Sequence, residues 1–276
     1  MSLPSSKRRY PTLLAVLFAA LTATSCGTVG DTKASDAGRT RATTAAPQSS
    51  SPASDPKANA TVTAPGGHFE PVFNPANFVE TIDNPYLPFA PGRSWVYESK
   101  DGGETERSEV VVTNDRKQIM GVSAVVVRDT VTVGGKVTED TYDWYAQDRE
   151  GNVWYLGEDT KEYENGKVMS TSGTWEAGID GAQPGIVMPA RPTVGHTYRQ
   201  ERFAGQAEDM AQVVRLGDTA TVPYGKLDSL LVTKDWNPLQ PKVIEEKYYA
   251  RGIGLVQEIK VAGGEGRLGL VRATTR

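Results

Sequence analysis

The sequence predicts an all-β fold: an antiparallel meander forming a curved sheet or half-barrel, built from two similar β-units, with one short N-terminal helix. Three observations predict it. From Ser94 onward, runs rich in Val, Thr, Tyr and Trp alternate with Gly, Asn and Asp, the composition of strands and their turns. Gly134-Gly135 and Asn165-Gly166 stand at hairpin spacing, where both central residues need positive φ. The chain also matches itself at a nearly constant offset.

In chain order, Asn74 can cap a helix that Pro75 opens. Phe78, Val79 and Ile82 would then face the core, and the proline-rich run Asn84 to Gly92 ends the helix. Eleven strands are expected after it: 94–99, 105–113, 122–133, 137–147, 153–157, 196–203, 208–216, 226–236, 242–250, 254–261 and 266–274. Asp148 to Asn152 reads as a longer hairpin turn with Gly151 at its tight position.

The self-match pairs Gly92-Arg93-Ser94-Trp95 with Gly195-His196-Thr197-Tyr198 at an offset of 103. Trp144-Tyr145-Ala146 pairs with Tyr248-Tyr249-Ala250 at 104, and Arg128-Asp129 corresponds to Lys234-Asp235. The repeated units are residues 88–157 and 189–261, with 158–183 an insertion. Together they make one β domain, residues 68–276, long enough to bury a core without cross-links.

The first 67 residues differ from the rest. Lys7-Arg8-Arg9 is a basic start and Leu13 to Leu21 a short apolar run. Small residues lead to Cys26, the only cysteine. This is the layout of a secretory signal over residues 1–25, too short to span a bilayer. Residues 26–67 are rich in Ser, Thr, Ala and Pro and poor in large apolar groups, so they predict a disordered tether. Its r.m.s. reach is about 35 Å. The net charge of −4 becomes more negative once the basic leader is removed. An acidic surface argues against nucleic acid as a partner. One cysteine and two histidines leave no pattern for a metal site, and no cofactor motif is present.

Thr22-Ala23-Thr24-Ser25-Cys26 resembles a bacterial lipoprotein lipobox, with Ala23 where leucine is commonest. The resemblance implies cleavage before Cys26, acylation of its thiol (palmitate among the chains) and location on the outer face of the cell membrane. Ordinary cleavage and secretion is the alternative. The stretches Phe73 to Phe78, Asp83 to Pro88 and Pro91 to Tyr97 are similar to the start of an uncharacterised family of bacterial exported proteins. The run Tyr248-Tyr249-Ala250-Arg251-Gly252-Ile253-Gly254-Leu255-Val256 resembles a turn of lipoprotein-carrier half-barrels. Neither resemblance brings a catalytic residue.

Candidate binding residues are Asp129, Glu139, Trp144, Tyr145, Glu245 and Tyr249. Alternation puts Asp129 on the face of Val125, Val127, Val131 and Val133. If that face is buried, Asp129 needs a partner or a raised pKa, and a cross-strand Arg or Lys would make it structural. Acids beside Trp144, Tyr145 and Tyr249 suit a sugar cleft, and equally a half-exposed strand. No catalytic elbow, Walker loop or zinc-protease motif is present. The sequence therefore favours a non-enzymatic, membrane-anchored module binding a small molecule, a glycan or another envelope protein. The competing expectation is a polysaccharide hydrolase using Glu139 and Glu245 as paired carboxylates.

Overall fold

The structure, a computed structural model, describes residues 67–101 and 104–274. The leader, Cys26 and the tether up to residue 66 lie outside the described residues. The chain forms fifteen antiparallel strands within them. In order these are β1 (Phe78–Val79), β2 (Ser94–Asp101), β3 (Glu104–Ile119), β4 (Val122–Val133), β5 (Lys136–Asp148), β6 (Val153–Glu164), β7 (Lys167–Ser170), β8 (Trp175–Glu176), β9 (Gly185–Met188), β10 (Thr197–Arg199), β11 (Met210–Val222), β12 (Gly225–Trp236), β13 (Ile244–Ala250), β14 (Gly254–Ala262) and β15 (Arg267–Thr274).

Two meanders, β2 to β7 and β10 to β15, join where β15 pairs with β2. The result is a single curved sheet. Its free ends approach each other without forming a ladder. Gly185 of β9 lies so close to Gln200 that a Cβ would sit 2.0 Å from its carbonyl oxygen, and Gln183 N–H donates to Arg202 O at 3.0 Å. The terminal strands β7 and β10 are only four and three residues long, a common way to blunt a sheet edge.

The hairpin signals correspond to real turns. Gly134 and Gly135 have φ of 57° and 77°, and Asn165 and Gly166 have 53° and 75°, as the primed turns of tight hairpins require. The expected helix is a three-residue 3-10 turn, Pro75–Asn77, capped by the Asn74 side chain. The proline-rich stretch leaves no length for more. Phe78 and Val79 instead pair with Asp148 and Gln147. Four strand boundaries also differ markedly from expectation, among them that of β11, which continues to Val222 instead of ending at Leu216. β3 continues to Ile119 because a register irregularity between Val112 and Arg116 absorbs the polar residues that interrupt the alternation. β6 continues to Glu164, inside the expected insertion, past Gly157. That glycine has φ +127°, and a Cβ there would be 2.2 Å from Trp175 O. The expected strand 196–203 shortens to Thr197–Arg199, because Gln200 and Glu201 turn to bond the Asp209 carbonyl.

One pair of corresponding strands, β4 and β12, shares both boundaries. Val122 and Val133 bound β4, and Gly225 and Trp236 bound β12, both shifted by 103. Their cross-strand rows agree as well. Trp95 faces Val110, which faces Asp129. Tyr198 faces Ala211, which faces Asp235.

One end of the curved sheet is covered by residues 82–92. Asp83 and Asn84 N–H donate to Gln147 Oε1, and Asn84 Nδ2 donates to Gly151 O. Gly252 N–H donates to Pro85 O at 2.7 Å. Ile82, Leu87 and Phe89 are buried there. Phe89 meets Trp95 and Tyr145 at centroid distances of 5.7 and 5.0 Å.

The acidic inner face as candidate functional site

Opposite residues in an antiparallel ladder share a face. Following the registers therefore collects one inner face from both halves. Thr233, Lys247, Glu258, Leu268, Ser99 and Glu106 form one row across β12, β13, β14, β15, β2 and β3. Val112, Val127, Asp143 and Glu158 form another across β3 to β6. Apolar residues predominate toward the covered end, and acids toward the turn-bearing end beyond Glu139 and Glu245.

This face is acidic and mostly buried. Glu106, Asp129, Asp143, Glu158, Glu201, Asp235 and Glu258 are buried. Among the described residues Lys247 is the only buried lysine or arginine. Its Nζ stands 3.6 Å from Asp235 and 3.7 Å from Glu258. Asp235 also accepts from Thr233 Oγ1 at 2.5 Å and Gln200 Nε2 at 3.2 Å. Burial would pull the Lys247 ammonium down, but the charge of Asp235 above all outweighs it and holds the group charged.

The other acids have too few counter-charges. Burial pushes Asp129, Glu158, Glu201 and Glu258 well above the carboxylate range, and neighbouring acids add to it. Glu139 rises to about 7, through burial first and Glu162 second. Asp143 rises for the same primary cause, although the Tyr155 hydroxyl donates to it at 2.6 Å. Both oxygens of Glu258 and Oε1 of Glu158 are buried without a hydrogen bond. No group of three or more His, Cys, Asp or Glu among the described residues is placed to hold a metal ion.

Five of the six sequence candidates fall on this face. Asp129, Tyr145 and Tyr249 are buried, and Glu139 and Glu245 are half-buried toward the open end. Asp129 has no cross-strand Arg or Lys. Its partner is Ser108 Oγ, at 2.6 Å, and a hydroxyl leaves its charge uncompensated. Trp144 is separated from the rest. It pairs with Val126 on the opposite face, where Lys117 Nζ lies 3.5 Å from its ring centroid. Glu139 and Glu245 belong to different neighbourhoods. Glu139 is shifted by Thr141 and Glu162, whereas Glu245 acts on Lys247 and Glu258.

Sequence reasoning missed Lys247, Glu158 and Glu258. Lys247 had a signal: it alternates with Glu245 and Tyr249. Glu158 and Glu258 had none, because register irregularities precede each of them along the strand.

No family model matches the sequence, and no curated protein does. Two solved structures resemble the fold. One is a candidate exported protein with a YmcC-like fold from Bacteroides fragilis NCTC 9343, 14% identical, with a TM-score of 0.38 over 68% of this chain and 98% of that one. The other is a candidate lipoprotein from Parabacteroides distasonis ATCC 8503, 10% identical, with the same TM-score and coverage. Likeness at that level carries no argument about what this chain does. Among the described residues no helix is long and apolar enough to cross a membrane.

Proposed function

We propose that the chain is a lipid-anchored protein of the cell envelope, acylated at Cys26, whose β domain is a ligand-binding module. The inner face favours a small, donor-rich cation such as a polyamine or an amino sugar over an apolar ligand. The observation that carries this reading is the run of buried carboxyls facing one lysine, with Glu158 Oε1 and the Glu258 oxygens accepting no hydrogen bond. A buried acceptor without a donor costs about 1–3 kcal/mol. A ligand ammonium near Glu139, and a second near Glu245 where the ligand carries one, would supply donors and favour the ionised carboxylates, so binding would release protons.

Calorimetric titration with spermidine and with glucosamine at pH 7, in two buffers of different ionisation heat, tests the module. Saturable binding of at least one, with net proton release and at least tenfold weakening in Glu139→Gln, is expected. No saturation by either at millimolar concentration would overturn this reading. The anchor is tested separately by Cys26→Ser. Only the thiol can accept the acyl-bearing group, so the variant should leave the membrane fraction or remain uncleaved. Normal processing with full membrane retention would exclude acylation at Cys26.

A further inference from the structure

We propose a second binding site on the outer face of β4 to β7, a groove that takes an acidic saccharide. It is an open depression of ≈ 690 Å³, within the size range of ligand sites. It lies between two hairpin tips. Lys136 and Val137 follow the Gly134-Gly135 turn on one side, and Asn165 and Gly166 form the other. Arg128, Asp140 and Tyr163 complete it.

The geometry resembles what a sugar acid needs. Arg128 Nε and Nη2 donate to the two oxygens of Asp140 at 2.7 and 3.0 Å, and Thr130 Oγ1 donates to Asp140 at 3.2 Å. The guanidinium also lies 5.4 Å from the Tyr142 ring. Both planar groups are therefore fixed before a ligand arrives, which lowers the ordering cost of binding. The fork leaves Arg128 three N–H donors unused by Asp140, and Arg128 and Lys136 are exposed. Two cations and one carboxylate leave the groove one positive charge on a chain that is acidic overall. Arg128 and Lys136 would hold the sugar carboxylate, Asp140 would accept from hydroxyls, and Tyr163 with Asn165 would meet the ring. This groove also gives a role to Asp140, which the inner face does not use: Asp140 and Tyr142 point outward, opposite to Glu139, Thr141 and Asp143.

The test titrates the full-length protein, in detergent, with trigalacturonate and with maltotriose as the neutral control. Saturable binding of trigalacturonate, at least tenfold tighter than maltotriose, is expected. Lys136→Gln and Tyr163→Ala should each weaken it at least fivefold with near-UV circular dichroism unchanged. Glu139→Gln, on the inner face, should leave it unaltered, which separates this site from the inner one. Failure to bind by the folded protein, equal binding of the neutral sugar, or indifference to both groove variants would each overturn the proposal.

Discussion

Trp95→Ala and Tyr198→Ala should each lower the unfolding free energy by about 3–5 kcal/mol, the range for truncating a large buried aromatic. Both rings occupy the same row of the two β-units and are about 2% exposed or less. Trp95 also ties the sheet to its cover, since its Nε1 donates to Ile253 O at 2.7 Å and its ring meets Phe89 edge-on. Its removal opens a cavity and leaves the Ile253 carbonyl without that donor. Domains of this kind hold roughly 5–15 kcal/mol in total, so either variant should unfold near 37 °C. Tyr198→Phe provides the contrast. The Tyr198 hydroxyl is buried and unbonded, so its deletion removes an unsatisfied group and should change stability by less than about 1 kcal/mol. Urea denaturation of the four proteins measures all of this. A loss under about 1 kcal/mol for Trp95→Ala would show that the shared aromatic row does not support the core.

Stability should fall as pH rises from 5 to 9, the reverse of acid denaturation. The unfolded chain releases its carboxylate protons near pH 4. The folded chain keeps that of Glu139 until about pH 7, and those of Asp129, Glu158 and Glu258 are also held above the ordinary range. Between those values the native state binds more protons, and the unfolding free energy decreases with pH. The shift at Glu139 alone corresponds to about 3 kcal/mol between pH 4 and 7. Opposing pairs act elsewhere. Asp218 and Glu246 are lowered by Arg215 and matter below about pH 4, and Lys247 is raised and matters only at alkaline pH. Glu158→Gln removes one of the protonated acids, so it should flatten the profile and stabilise the protein at pH 9. Urea midpoints at pH 5, 7 and 9 decide it, and a midpoint that is flat or rising over that range would refute the assignment of these acids as protonated in the fold.

The parts of the fold that were legible are those specified locally. The Gly134-Gly135 turn needs positive φ at both positions, and alternation marks β4 and β12 without help from neighbours. Trp95 and Tyr198 were readable as equivalents because the flanking glycines and strands recur. What was hidden depends on contacts from far along the chain. β9 is set by pairing with β6, its Gly185 admitting a close approach of the Gln200 backbone, and β8 exists because Gly157 admits the Trp175 backbone; neither carries an alternating pattern. Asp129 was legible as a buried acid, but its serine partner was not, because register decides which side chain stands opposite. Trp144 was grouped with Tyr145 by adjacency, although neighbours in a strand point to opposite faces.

The joining of β15 to β2 has a kinetic consequence. Trp95 stands opposite Ala273, so the first long strand finds its outer partner only when nearly the whole chain is present. Until then β2 has an open edge, and the N-terminal meander, whose internal pairs are hairpins, can assemble ahead of it. Closing so large a loop is entropically costly, and folds dominated by distant pairings form slowly. Docking of the last strand is therefore expected to be the slow step of folding, and a chain stalled or clipped before residue 267 exposes the β2 and β14 edges together, the condition under which such sheets pair with other molecules.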